Sequence, residues 1–143
     1  MKIKSSAFEN NEKIPPKYTC DGEKISPPLA FLDVPVEAKS LVLIVEDPDS
    51  TNGTFTHWIT WNIPSDSLGI GEGGMAGIEG INSEGIGGYT PPCPICGQHR
   101  YFFRLYAVDT TFDLTTTVKR SDLDEKMKGH IVSEARLIGR YGR

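Results

Sequence analysis

The chain has 143 residues, 38% of them hydrophobic and 24% charged, with a formal net charge of −4. That length suits one domain covering residues 1–143, and a domain near this size buries roughly 68–70% of its unfolded surface without needing staples. The composition is that of a globular rather than a disordered chain, and its acidic balance argues against nucleic acid, whose phosphates require clustered Lys and Arg.

Residues Met1 to Ser6 lack the apolar core of a secretory signal. No run approaches the ~18 apolar residues that cross a bilayer. A cytoplasmic location without stable membrane insertion is the expectation. Three Cys is an odd number, which fits poorly with a secreted disulfide framework.

In chain order, Pro15-Pro16, Asp21-Gly22 and Pro27-Pro28 mark a loop-rich start, with short strands expected at Ile3–Ser6 and Leu29–Leu32. Leu41–Glu46 (LVLIVE) is an unbroken β-rich run that reads as a buried central strand. His57–Ile63 follows, where alternation sets His57, Ile59, Trp61 and Ile63 against Trp58, Thr60 and Asn62; Pro64 ends it. Residues 69–88 are too rich in Gly for a regular interior, and a functional and a disordered reading compete there. Arg100–Val108 is an aromatic, alternating strand. Lys119-Arg120 reads as a solvated turn, and Ser121–Lys128 as a helix with Ser121 as N-cap and Gly129 as stop. His130–Tyr141 fits strand better than helix, because Gly139, Ile131, Val132 and Ile138 weaken a helix. The fold class expected is mostly β, with one or two short helices.

Chemistry-bearing residues gather at strand ends: Asp47-Pro48-Asp49-Ser50, His57-Trp58, and Gly97-Gln98-His99-Arg100-Tyr101. If 57–63 and 100–108 both flank the 41–46 strand antiparallel to it, these ends meet at one sheet edge. Period-2 alternation then sets His99, Tyr101 and Phe103 on one face, with Arg100 and Phe102 on the other. Such a mixture of acceptors and switchable donors suits a small polar or anionic ligand. No nucleophile is visibly paired with a base; Ser50 is the nearest.

These motifs, together with Trp61-Asn62-Ile63-Pro64, the run Leu105-Tyr106-Ala107, Tyr18–Leu29 (YTCDGEKISPPL) and Leu137–Arg143 (LIGRYGR), resemble the phosphatidylethanolamine-binding protein family over nearly the whole chain. The likeness is nearest to its short bacterial and archaeal branch, the Raf-kinase-inhibitor-like YbhB/YbcL proteins. The resemblance implies a large antiparallel sheet packed with a smaller one, and an anion pocket at the sheet edge. Carried over by position, that pocket comprises Asp47, Asp49, His57, His99 and Tyr101, with Pro92 on its wall. The two His and Tyr101 would bond a phosphate, sulfate or carboxylate, and Asp47 would orient a His. The resemblance also implies a homodimer, no cofactor, and a non-enzymatic role, with kinase regulation or protease inhibition known among other members. The chain departs from the family's usual Gly-Pro-Cys-Pro-Pro: Pro91 stands in place of Gly, and Ile95 and Cys96 follow Pro94. Pro91 has no N–H to offer an anion.

Other readings stand beside this one. A pocket His could serve as general base in a weak hydrolase. Asp47-Pro48-Asp49 could be a turn only, with Asp49 structural. Arg100, facing away from His99, suits a fixed ion pair under the pocket. Cys20, Cys93, Cys96 and His99 make a Cys₃His zinc set, although Cys-x₂-Cys-x₂-His is tight for a chelate. Cys93-Pro94-Ile95-Cys96 precedes a strand rather than opening a helix, unlike a thioredoxin-type motif. A Cys20–Cys93 disulfide would form if the two loops touch, against the reducing tendency of a cytosol.

Overall fold

The structure, a computed structural model, describes residues 1–143. Eight strands form two antiparallel sheets: β1 (Lys2–Lys4), β2 (Leu29–Leu32), β3 (Ser40–Asp47), β4 (Phe55–Pro64), β5 (Gly69–Ile70), β6 (Ile78–Glu79), β7 (Gln98–Val108) and β8 (Ile131–Gly142). The larger sheet has the order β6-β4-β3-β7-β8, and the smaller β1-β2-β5. One helix, α1 (Arg120–Met127), precedes β8. No helix is long and apolar enough to cross a membrane.

The central strand explains itself. Every residue of β3 is buried because both faces of the large sheet are covered, so the sequence there is continuous rather than alternating. On one face Leu41, Leu43 and Val45 join Trp58, Tyr101, Phe103 and Leu105 against Ile3 and Phe31 of the small sheet. On the other, Val42 and Ile44 pack with Ile59, Trp61, Leu123 and Met127 beneath α1. Phe102 lies toward the second face beyond the helix, where the guanidinium groups of Arg100, Arg104 and Arg136 stand 4.6–5.8 Å from its ring centre. Their aliphatic stems shield it while their charges stay wet.

The strict alternation expected for β4 does not hold. Its register against β3 shifts twice, between Trp58 and Thr56 and again between Ile63 and Thr60. At such a shift two residues oppose one, and the faces exchange. Trp58 and Ile63 therefore reach the first core while Ile59 and Trp61 reach the second. Asn62 adopts φ +54° at the second shift. Its amide holds both backbone groups of Phe112, donating to O at 2.7 Å and accepting from N at 2.8 Å.

Smaller differences have local causes. β1 ends at Lys4, before Ser5 turns its hydroxyl to the Ala7 N–H. α1 begins at Arg120, its N-cap at Lys119 two residues before Ser121, since the Asp122 carboxylate accepts the Lys119 N–H at 3.0 Å. Arg120 is no solvated turn residue, because it pairs with buried Glu46 and with Asp124. The Gly-rich segment is ordered. Glu72 accepts Tyr18 Oη at 2.6 Å and pairs with Lys17, Glu79 accepts the Trp58 indole N–H at 2.7 Å, and Asn82 holds Gly88 and Thr90. At Gly77 an added Cβ would lie 2.3 Å from the Trp61 carbonyl, so glycine there permits close backbone approach.

Candidate functional site

Because β4 and β7 both flank β3 in antiparallel register, the end of β3 and the starts of β4 and β7 share one edge. Asp47, His57, His99 and Tyr101 meet there around a pocket of about 240 Å³. Larger depressions exist, such as one of about 450 Å³ beside Lys119 and Asp124, but none brings two imidazoles together.

The shift in β4 sets His57 on the same face as Trp58, beneath the rings of Phe55 and Tyr101 at 4.8 and 5.3 Å. Its Nδ1 lies 2.7 Å from the Thr90 carbonyl, and the Thr90 N–H returns a bond to the His57 carbonyl at 2.9 Å. A carbonyl only accepts, so Nδ1 carries the proton in the neutral ring and Nε2 carries the lone pair. Burial lowers the His57 pKa below its ordinary value, with the Thr90 hydrogen bond and Asp47 opposing this.

His99 is oriented by a carboxylate instead. Its Nδ1 lies 2.6 Å from Asp47 Oδ2, while Asp47 Oδ1 accepts the Asp49 N–H at 2.8 Å and fixes the turn. Asp47 is buried at the end of β3. In both rings Nδ1 is occupied by the protein, Nε2 has no protein partner, and neither Nε2 is among the sealed, unpartnered polar atoms. The pair is presented to the pocket with Nε2 free. Tyr101 adds a phenol that forms no hydrogen bond within the protein, and burial together with Asp47 and Asp49 pushes its pKa up, so it remains a donor.

Two of the residues expected on the wall stand elsewhere. Asp49 points both carboxylate oxygens at Arg100, 2.9 Å from Nε and from Nη2, and also accepts the Arg100 N–H at 3.0 Å. That bidentate pair holds the Asp49 carboxyl at about 2. Asp49 braces the turn and does not line the pocket, and Arg100 is the fixed ion pair that its position implies. Pro92 is buried behind the wall, its carbonyl accepting the Cys20 N–H at 3.1 Å; Pro91 and Pro94 line the pocket instead.

The zinc set does not assemble. Cys20 and Cys93 are joined as a disulfide across 73 residues, the pairing that contact between the two loops allows, and His99 is committed to Asp47. Cys96 is free and exposed on the pocket wall. Ser50 also lines the pocket but makes no hydrogen bond to either imidazole.

Three contributions were not legible in the sequence. Thr90 acts through its main-chain carbonyl, for which side-chain patterns carry no signal. Glu84 reaches the rim from the Gly-rich segment, and Ile95 from the Pro loop. The run of Pro and Gly around them marks loops, without saying which loop faces the strand ends.

Comparison with known proteins agrees with this fold. The family model "Phosphatidylethanolamine-binding protein" matches residues 4–142. A UPF0098 protein of Methanothermobacter thermautotrophicus is 49% identical over all of this chain and 99% of its own length. One from Chlamydia trachomatis is 45% identical over 99% of this chain and 98% of its own. Among solved structures, a putative phosphatidylethanolamine-binding protein homologue of C. trachomatis superposes with a TM-score of 0.97 at 44% identity, covering 99% of this chain and 97% of that one. Escherichia coli YbcL shares the fold, with a TM-score of 0.91 at 22% identity over 99% and 98% of the two chains. The chain belongs to the phosphatidylethanolamine-binding protein family.

Proposed function

We propose that this is a non-enzymatic binding protein whose sheet-edge pocket takes a small anion or a phosphorylated group. One observation carries the reading. Two histidines, each anchored through Nδ1 to a protein oxygen, leave both Nε2 atoms unpartnered in a single pocket beside the Tyr101 hydroxyl. Protonated, the rings become charge-assisted donors to anionic oxygens; neutral, they accept from a protonated phosphate oxygen. Asp47 is already spent on His99 and does not oppose the anion with a bare carboxylate. Family membership supports a binding-protein fold, and the absence of a nucleophile in contact with either His favours binding over turnover.

The test is an NMR titration with phosphoethanolamine, following the imidazole signals, with inorganic phosphate in parallel. Saturable shifts at His57 and His99 are expected, while His130, paired with Asp109 near α1, stays silent. Phosphate alone producing the same shifts would locate recognition in the anion rather than in the ammonium group. Unmoved signals at both pocket histidines would overturn the reading.

A further inference from the structure

We infer that Cys96 and the Cys20–Cys93 disulfide form an intramolecular thiol–disulfide switch in the pocket wall, in which Cys96 displaces Cys20 from Cys93. The chemical step stands on the cysteine geometry alone. Its regulatory consequence rests on the anion-binding reading.

Three observations meet at this place. Cys93 and Cys96 both line the pocket and are separated by two residues, a spacing that an intraloop disulfide bridges. Cys96 is exposed and free, so its sulfur is open to reaction. The Pro91–Cys96 loop has few backbone donors: three of its six residues, Pro91, Pro92 and Pro94, have no N–H. From Pro91 to Cys96 the only backbone hydrogen bond is Cys20 N–H to the Pro92 carbonyl. The disulfide is therefore the main tether between the N-terminal loop and the wall.

The direction of exchange follows from Arg143. Its Nη2 lies 3.1 Å from Cys20 Sγ while also pairing with the Asp21 carboxylate, and its backbone exchanges hydrogen bonds with Gly97 at 3.1 and 3.3 Å, which fixes it beside the end of the loop. A guanidinium stabilises a thiolate, and the better-stabilised thiolate leaves faster. Cys96 loses its proton to water and its thiolate attacks Cys93 Sγ. The Cys93–Cys96 bond forms as the Cys20–Cys93 bond breaks, and the electron pair leaves on Cys20 beside Arg143. Cys20 can then take up a proton from water. Nothing is oxidised or reduced overall, so no external redox partner is required. The product closes the loop on itself, frees it from the N-terminal segment, and reshapes the wall opposite His57 and His99. The isomerised form binds anions less well.

The experiment uses the intact protein prepared without reductant. It is incubated at about pH 8.5, where an ordinary thiol is about half ionised, then quenched in acid, alkylated, digested and mapped by mass spectrometry. Alkylation is expected to move from Cys96 toward Cys20, with a Cys93–Cys96 peptide appearing at a rate independent of protein concentration. Arg143→Gln should reduce the Cys20-labelled fraction. Label confined to Cys96 throughout, or migration that scales with protein concentration, overturns the intramolecular step. Inorganic phosphate binding is then compared between wild type and Cys20→Ser, which leaves Cys93 and Cys96 to pair. Several-fold weaker binding in the variant is expected, and equal binding overturns the regulatory consequence. If Cys20→Ser does not fold, the two wild-type isomers separated by chromatography carry the same comparison. Phosphate binding by neither form overturns the anion pocket and its regulation together, while label migration reads the exchange by itself.

Discussion

Glu46 and Asp47 are adjacent on β3, both acidic and both buried, yet they face opposite sides of the sheet and do different things. Glu46 turns toward the helix side, where Arg104 meets Oε1 at 2.6 Å and Arg120 meets Oε2. Every acceptor is answered by a permanent cation, and nothing is left to recognise a ligand. Asp47 turns toward the pocket and is answered by one titratable ring, His99, whose other nitrogen has no protein partner. A buried charge fully compensated by Arg is scaffold. A buried charge compensated by His passes its influence on to whatever the ring touches.

The comparison can be broken most completely at the two pocket rings. His57→Ala and His99→Ala should each abolish phosphate binding in calorimetry while the protein still melts cooperatively. Unfolding of both variants would assign the histidines to stability instead.

The converse is expected of Glu46→Gln. Breaking a buried pair by removing one partner costs about 3–5 kcal/mol when the partner left behind is fully buried. Arg104 and Arg120 keep roughly a quarter of their side-chain surface in water, so a loss of about 2–3 kcal/mol by denaturant titration is expected, with phosphate affinity unchanged. Equal damage to both properties would erase the distinction between the two acids.

Asp47→Asn keeps the shape but removes the carboxylate that fixes the His99 tautomer. Loss of an orienting partner of this type weakens binding by about 10–100-fold at metal-bound histidines, and a loss near the lower end, about tenfold, is expected here. Melting should change less than in Glu46→Gln.

The subtlest test is pH. Burial places the His57 pKa below its unfolded value of 6.5 in the folded protein. The unfolded chain therefore binds more protons in the window below 6.5, and the sign of the linkage makes the ligand-free protein lose stability as pH falls through it. An anion in the pocket favours protonated His57. Phosphate affinity should therefore rise as pH falls from 7.5 to 5.5, and the stabilisation given by phosphate should be larger at the lower pH. Affinity that is flat across this range, with the phosphate charge accounted for, would separate His57 from the anion. His57→Gln should flatten the profile.

By itself, the sequence determined the β class and the central strand, and it named three motifs whose convergence hung on a pairing order that only the fold supplied. Apolar runs, turn residues and the antiparallel pairing of neighbouring strands are local or nearly local properties, and LVLIVE needs both sheet faces covered wherever it sits. Tertiary structure decided the rest. The face reached by each residue of β4 depends on two register shifts that period-2 reading cannot anticipate, and one of them sets His57 and Trp58 on the same side. Whether Asp49 met a ligand or Arg100 depended on geometry across 51 residues. The Cys20–Cys93 bond depended on two loops 73 residues apart. Thr90 entered the site through a carbonyl that every residue type possesses. Side-chain identity announces which chemistry is available, but main-chain partners and long-range pairings are fixed only when the chain closes on itself, because their energies depend on distance and not on sequence order.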